Sequence, residues 1–216
     1  MNTRNDKVVY ESHITVDGSE EGLRLFKARM KECSIKVIKV GNGFPIIDYH
    51  HMTSVICHDM NDVTAVEQIV RVVTDSLKDH GVRITRGKLE RSPTPKGSVT
   101  GSRYYECHVE VFSSAVTKKL YDPTYWFVSQ NTNKFKSMPD GRLENLYMLT
   151  ARMKNISLSA FTESVYSKMI PFVELIADKD KVFIEECVYD TCEQLDAHWM
   201  NIKDGSISSE EVLISA

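Results

Sequence analysis

The run VVYESHITV, Val8 to Val16, returns as RYYECHVEV, Arg103 to Val111. Apolar and ionisable side chains alternate in both copies, which is the period of a strand with two unlike faces. In the first copy Val8, Tyr10, Ile14 and Val16 share one side, and Glu11, His13 and Thr15 the other. In the second, Tyr105, Cys107, Val109 and Val111 oppose Glu106, His108 and Glu110. A chain that writes this pattern twice must bury two apolar strand faces and also find a place for two Glu-X-His rows.

The segments behind the two copies keep the same order. After Val16, DGSEEGLRLFKARMKEC carries Leu23, Phe26, Met30 and Cys33 at helical spacing behind an acidic first turn. SIKVIKV and HHMTSVICH read as strands joined across GNGFP, and a helix from about 63 to 80 stops at Gly81 before the closing strand VRITRGKLE. After Val111 come a short helix in SSAVTKKLYDP, the strands TYWFVSQ and LYMLTARM, a long helix from about 157 to 178 with Pro171 as a kink, and KVFIEECVY. His13 to Thr53 spans 40 positions and His108 to Thr150 spans 42. The pattern predicts an α+β protein of two tandem β-α-β-β-α-β (ferredoxin-like) repeats, whose antiparallel sheets face a central cleft. The expected units are a first repeat over 1–91, a linker loop over 92–102, a second repeat over 103–200 and a polar tail over 201–216. In this register Tyr10, Ile14, Tyr105 and Val109 are core residues, while Glu11 and Glu106 are exposed to the cleft.

Composition narrows the function classes. Lys plus Arg total 27 against 30 for Asp plus Glu, so the formal charge of -3 provides no basic surplus for duplex nucleic acid. No targeting segment is legible, and the apolar run MIPFVELIA is short and broken by Glu174, which argues against a membrane span. Five cysteines without a CxxC pair fit a reducing compartment, so the expected location is cytoplasmic. Gly-rich phosphate loops, nucleophile elbows and zinc-knuckle spacings are missing. Trp126 and Trp199 read as core or interface anchors.

Two histidines meeting across a cleft favour acid/base chemistry, since one imidazole can accept a proton while the other donates one. His13, Thr15, His108 and Glu110 are therefore the candidate catalytic residues. Lys88, Thr150 and Arg152 are candidate substrate-binding residues, with Arg86 and Glu90 on the same strand face as Lys88. The expected ligand is a small nucleotide or oligonucleotide, with self-association left open. No cofactor and no metal belong to this expectation, although Glu11, His13, Glu106, His108 and Glu110 would supply nitrogen and oxygen ligands if the two strands adjoined.

HIT at His13 to Thr15, with a second His-led strand beginning at His108, resembles the two-histidine phosphoesterase superfamily. That resemblance implies a duplicated α/β fold and a metal-independent phosphodiesterase acting on cyclic phosphates or 2',5'-linked nucleotides. His13 and Thr15 match the first motif and His108 the second histidine, while Glu110 stands where the second hydroxyl belongs. ECHVE with RGKLE is also similar in flavour to triphosphate-tunnel proteins, but His13 and Thr15 replace the second Glu and the Lys of their opening strand. The alternatives are a metal- or triphosphate-dependent phosphohydrolase and a non-catalytic interaction protein that uses its open sheet faces.

Overall fold

The computed structural model describes residues 9–44, 48–58, 60–93, 104–132, 134–138 and 140–191. Most of the linker expected at 92–102, the tail at 201–216, Cys192 and Trp199 lie outside the described residues.

In chain order the elements are β1 (Tyr10–Asp17), α1 (Glu20–Glu32), β2 (Lys36–Asn42), β3 (Asp48–Cys57), α2 (Met60–Arg71), β4 (Arg83–Arg91), β5 (Tyr104–Phe112), α3 (Ser113–Thr117), β6 (Phe127–Asn131), β7 (Phe135–Ser137), β8 (Leu143–Met153), α4 (Leu158–Met169) and β9 (Phe183–Asp190). Eight strands succeed one another in the order β5-β9-β4-β1-β3-β2-β6-β8, and β8 returns to pair with β5. All of these pairings are antiparallel. The result is a closed barrel. β7 prolongs the β6 arm along β8, and Leu146 N donates to Lys134 O at the step between them.

This corrects the expected fold of two tandem ferredoxin-like repeats with open sheets facing a cleft. The strand order within each half is β4-β1-β3-β2 and β9-β5-β8-β6, but the halves fuse edge to edge. One seam joins β2 to β6 through Val40↔Asn131, Gly41↔Gln130 and Asn42↔Ser129. The other joins β4 to β9 from Lys88↔Asp190 to Arg91↔Glu186. The physical reason is that an open sheet leaves a row of unpaired N–H and C=O groups at each edge, and closure pairs them. Glu106, expected at an exposed cleft surface, is consequently 0% exposed.

Two apolar layers cover the barrel from outside. Ile14, Val16, Phe26, Met30, Ile69 and Val73 pack α1 and the α2 segment onto the first half. Tyr105, Cys107, Val109, Trp126, Leu149, Phe161, Val165 and Phe172 pack α4 and its continuation onto the second. Burying each of these large side chains contributes roughly 1.5–3 kcal/mol. Ser19 caps α1 by accepting from Gly22 N at 3.0 Å, and Ser157 caps α4 by accepting from Ala160 N at 3.2 Å. The helix expected to run to 178 tightens at Ile170 into a 3₁₀ segment ending at Leu175. Pro171 accounts for the change, because it has no N–H to continue the α-helical ladder.

Gly22 sets how closely α1 approaches the turn before β4. A Cβ there would stand 2.5 Å from the His80 carbonyl oxygen and 2.7 Å from Val82 Cγ2. Gly22→Ala should therefore lower the unfolding free energy by about 1–3 kcal/mol through overpacking, although alanine is the better helix former. Urea denaturation checks this, and an increase in stability would show that α1 is not seated against His80.

Candidate functional site

Because side chains alternate along every strand, a closed barrel turns one half of them inward. The inward row contains Glu11, His13 and Thr15 from β1, Arg86, Lys88 and Glu90 from β4, and His108 and Glu110 from β5, with Glu106 behind them. β2 contributes Ile38, Val40 and Asn42, β3 contributes Met52 and Ser54, β6 contributes Phe127 and Ser129, β8 contributes Met148, Thr150 and Arg152, and β9 contributes Phe183 and Glu185. Together they enclose a lumen of about 410 Å³.

One wall is ionised. The Lys88 ammonium lies between two carboxylates, 2.5 Å from Glu90 Oε1 and in contact with Glu106 Oε2. Arg152 holds the other oxygen of Glu106 and lies over the Tyr104 ring, 4.7 Å from its centroid. Arg86 donates to both oxygens of Asp190, at 3.0 and 2.6 Å, and Tyr104 donates its hydroxyl to the same carboxylate at 2.5 Å.

The two histidines occupy corresponding positions. His13 Nε2 lies 3.1 Å from Glu90 Oε2 and 3.6 Å from Glu11 Oε1. His108 Nε2 lies 3.4 Å from Glu185 Oε2 and 3.5 Å from Glu106 Oε2. Each imidazole thus sits between the glutamate two residues before it and a glutamate of the next strand. The remaining nitrogen is held from behind, His13 Nδ1 by the Thr53 carbonyl at 3.3 Å and His108 Nδ1 by Thr150 Oγ1 at 2.9 Å.

Enclosure shifts these groups. Burial pushes the Lys88 ammonium, the Arg152 guanidinium and the His108 imidazole down, and it pushes the Glu185 carboxyl up. For Glu90 burial works upward, but Lys88 and His13 outweigh it and hold the carboxyl well below the usual carboxylate range.

The facing wall is different. Ile38, Val40, Met52, Phe127 and Met148 present apolar surface to the same space. Among them Asn42 is 4% exposed, and neither its Nδ2 nor its Oδ1 has a hydrogen-bond partner. Burying an amide without partners is costly, so an unpartnered amide in a lumen marks a place where an occupant can bond.

All seven residues singled out from sequence line this lumen, but they do not act as one group. His13, Lys88, His108, Thr150 and Arg152 gather on the ionised wall. Glu110 is drawn away to Lys134, and β1 and β5 are not neighbours, since β9 and β4 stand between them. Glu185, Asp190 and Tyr104 were missed, although period-two reading of FIEECVYD marks Glu185 as sharing a face with Phe183. The apolar wall was missed as well, because SIKVIKV reads as a strand without showing which of its faces is enclosed.

The two-histidine phosphoesterase resemblance is overturned by the closed barrel, and the cyclic or 2',5'-linked phosphodiesterase reading falls with it. Both Nε2 atoms face carboxylates, which would repel a phosphodiester or a triphosphate brought to them. An interaction surface on open sheet faces is also excluded, because those faces turn inward. No protein-family model and no curated protein matches the chain. Among solved structures, a chlorite dismutase mutant from Candidatus Nitrospira defluvii is similar at 11% identity over 90% of this chain and 97% of its own, with a TM-score of 0.31. An anthrone oxidase-like protein aligns at 8% identity over 86% and 93%, with a TM-score of 0.27. A heme-binding protein from Thermus thermophilus aligns at 9% over 89% and 95%, with a TM-score of 0.26. At such values the reading of the site rests on its own geometry. Among the described residues no helix is long and apolar enough to cross a membrane.

Removing Lys88 leaves two buried carboxylates facing each other. Lys88→Met should cost about 3–5 kcal/mol at pH 7, the range for breaking a buried pair. The sign with pH is set by Glu90, whose folded carboxyl is depressed. Its contribution is complete above the unfolded value of about 4.3 and is lost as pH falls below it. The gap between wild type and variant should therefore hold from pH 7 down to about pH 4.3 and narrow below it in urea unfolding, and a gap that stays constant in acid would contradict the bridge.

Proposed function

We propose that the protein is a small-molecule-binding barrel whose lumen receives one amphiphilic ligand. Its apolar body lies on Ile38, Val40, Met52, Phe127 and Met148, and its polar head meets His13, His108 and their glutamates. The observation that carries this reading is the pairing of two unlike walls across one enclosed space, with the unpartnered Asn42 amide on the strand that carries Ile38 and Val40. A lumen of about 410 Å³ is within the range of ligand pockets, which combine mostly apolar lining with a few placed polar groups. The heme named for one similar protein does not suit these residues. Both imidazole Nε2 atoms are turned onto carboxylates at 3.1–3.6 Å, and a macrocycle above either would press its apolar face on Lys88 and the glutamates.

Titration with N-phenylnaphthylamine, an uncharged aromatic amine that fluoresces when shielded from water, tests the reading. One dye per chain should bind with enhanced, blue-shifted emission. Met148→Trp, which fills the apolar wall, should abolish the signal while the far-ultraviolet circular dichroism stays unchanged. Dye binding that is indifferent to this filled lumen would place the ligand elsewhere and reject the proposal.

A further inference from the structure

The ionised wall carries an imbalance of charge. Glu11, Glu90, Glu106, Glu185 and Asp190 stand against Arg86, Lys88 and Arg152, an excess of two carboxylates over the lysine and arginine cations, with His13 and His108 each lying between two of these carboxylates. Of the other charged groups lining the lumen, Glu110 and Lys134 pair with each other, while Lys36 and Lys181 are exposed to solvent. Buried charge is tolerated when it is paired or when it coordinates a cation.

We propose that Glu90, Glu106 and His108 bind a divalent metal cation of the class that accepts mixed nitrogen and oxygen ligands, such as Mn²⁺ or Zn²⁺, in exchange for the Lys88 ammonium. This goes beyond the small-molecule reading and stands without it. One ligand atom from each of the three residues lies within 4.8 Å of the others, so a small contraction brings them to a common ion. Both histidines are oriented as metal-binding imidazoles are, with the far nitrogen held and the near nitrogen aimed at the donors. His13 Nδ1 donates to the Thr53 carbonyl, which can only accept. Its Nε2 faces Glu90 Oε2, 3.1 Å away.

Lys88 explains how the site persists without metal. Its ammonium touches both carboxylates that the ion would use, and it hangs on a flexible four-carbon stem that can withdraw. A divalent ion balances the excess of two carboxylates while the lysine keeps its charge nearby, and leaves an excess of one where the ammonium withdraws to solvent. The unpartnered Asn42 amide across the same lumen is a separate sign that the space is built for an occupant.

The full chain, stripped with chelator, is titrated with Mn²⁺ and with Zn²⁺ by calorimetry, and Mn²⁺ binding is tracked by electron paramagnetic resonance. One ion per chain is expected, with a rise in Tm on loading. His108→Ala should weaken binding by about 10–100-fold, whereas Glu21→Gln on the exposed side of α1 should leave it unchanged. Lys88→Met should bind the ion more tightly than wild type and regain more Tm on loading, a response that loss of a merely structural lysine does not produce. Absence of saturable binding to the wild-type chain overturns the proposal, and so does binding that is indifferent to His108→Ala. A Lys88→Met chain that folds and gains no affinity also overturns the exchange. If that variant does not fold, the wild-type and His108→Ala titrations decide alone.

Discussion

The Lys88 ammonium, set between Glu90 and Glu106, ties together two strands that share no backbone hydrogen bonds, since β9 separates β4 from β5. Taking such ions out of water costs several kcal/mol each, and the attraction between them offsets this only when the remaining lone pairs and protons are also met. Much of the wall can be understood as meeting that condition. Arg152 takes the second oxygen of Glu106, His13 faces the second oxygen of Glu90, and Asp190 with Tyr104 neutralises and positions Arg86. The apolar wall opposite needs no such completion, and this frees it to shape the space.

The helices contribute from outside. Their apolar stripes are used up against the outer faces of the strands, so none of α1 to α4 lines the lumen. Strand residues move little relative to one another when every backbone group is paired, which makes them good holders of exact interatomic distances. The charged wall is therefore fixed by the same ladder that closes the barrel.

Alternation in VVYESHITV and RYYECHVEV was enough to sort Ile14, Tyr105 and Val109 to the helix side and Glu11, His13, Glu106 and His108 to the other. It could not say whether that other side was open. Closure depends on seams such as Gly41↔Gln130 and Glu90↔Cys187, which involve residues of no distinctive type and great sequence separation. The same ignorance allowed the phosphoesterase resemblance, because His13, Thr15 and His108 match a motif whose meaning depends on what surrounds it. Glu185 beside His108 and Glu90 beside His13 are such surroundings, and they come from strands distant in the chain. The helix expected to reach 178 failed at Ile170 for a local reason, the proline next to it, although the residue itself was noticed.

Register relates the two halves residue by residue. Glu11 pairs with Glu90 and His13 with Lys88, as Glu106 pairs with Glu185 and His108 with Phe183. On the opposite side of each strand Ile56 faces Glu11 where Arg152 faces Glu106, and Ser54 faces His13 where Thr150 faces His108. Had every pair matched, the lumen would possess a twofold axis, and any occupant lacking that symmetry would have two equivalent ways to lie in it. The exchange of lysine for phenylalanine and of isoleucine for arginine removes the degeneracy. Each half keeps one cation and one apolar side chain but sets them at different places, Lys88 beside His13 and Arg152 beside Glu106, so the two ways of lying in the barrel are no longer equivalent to a guest.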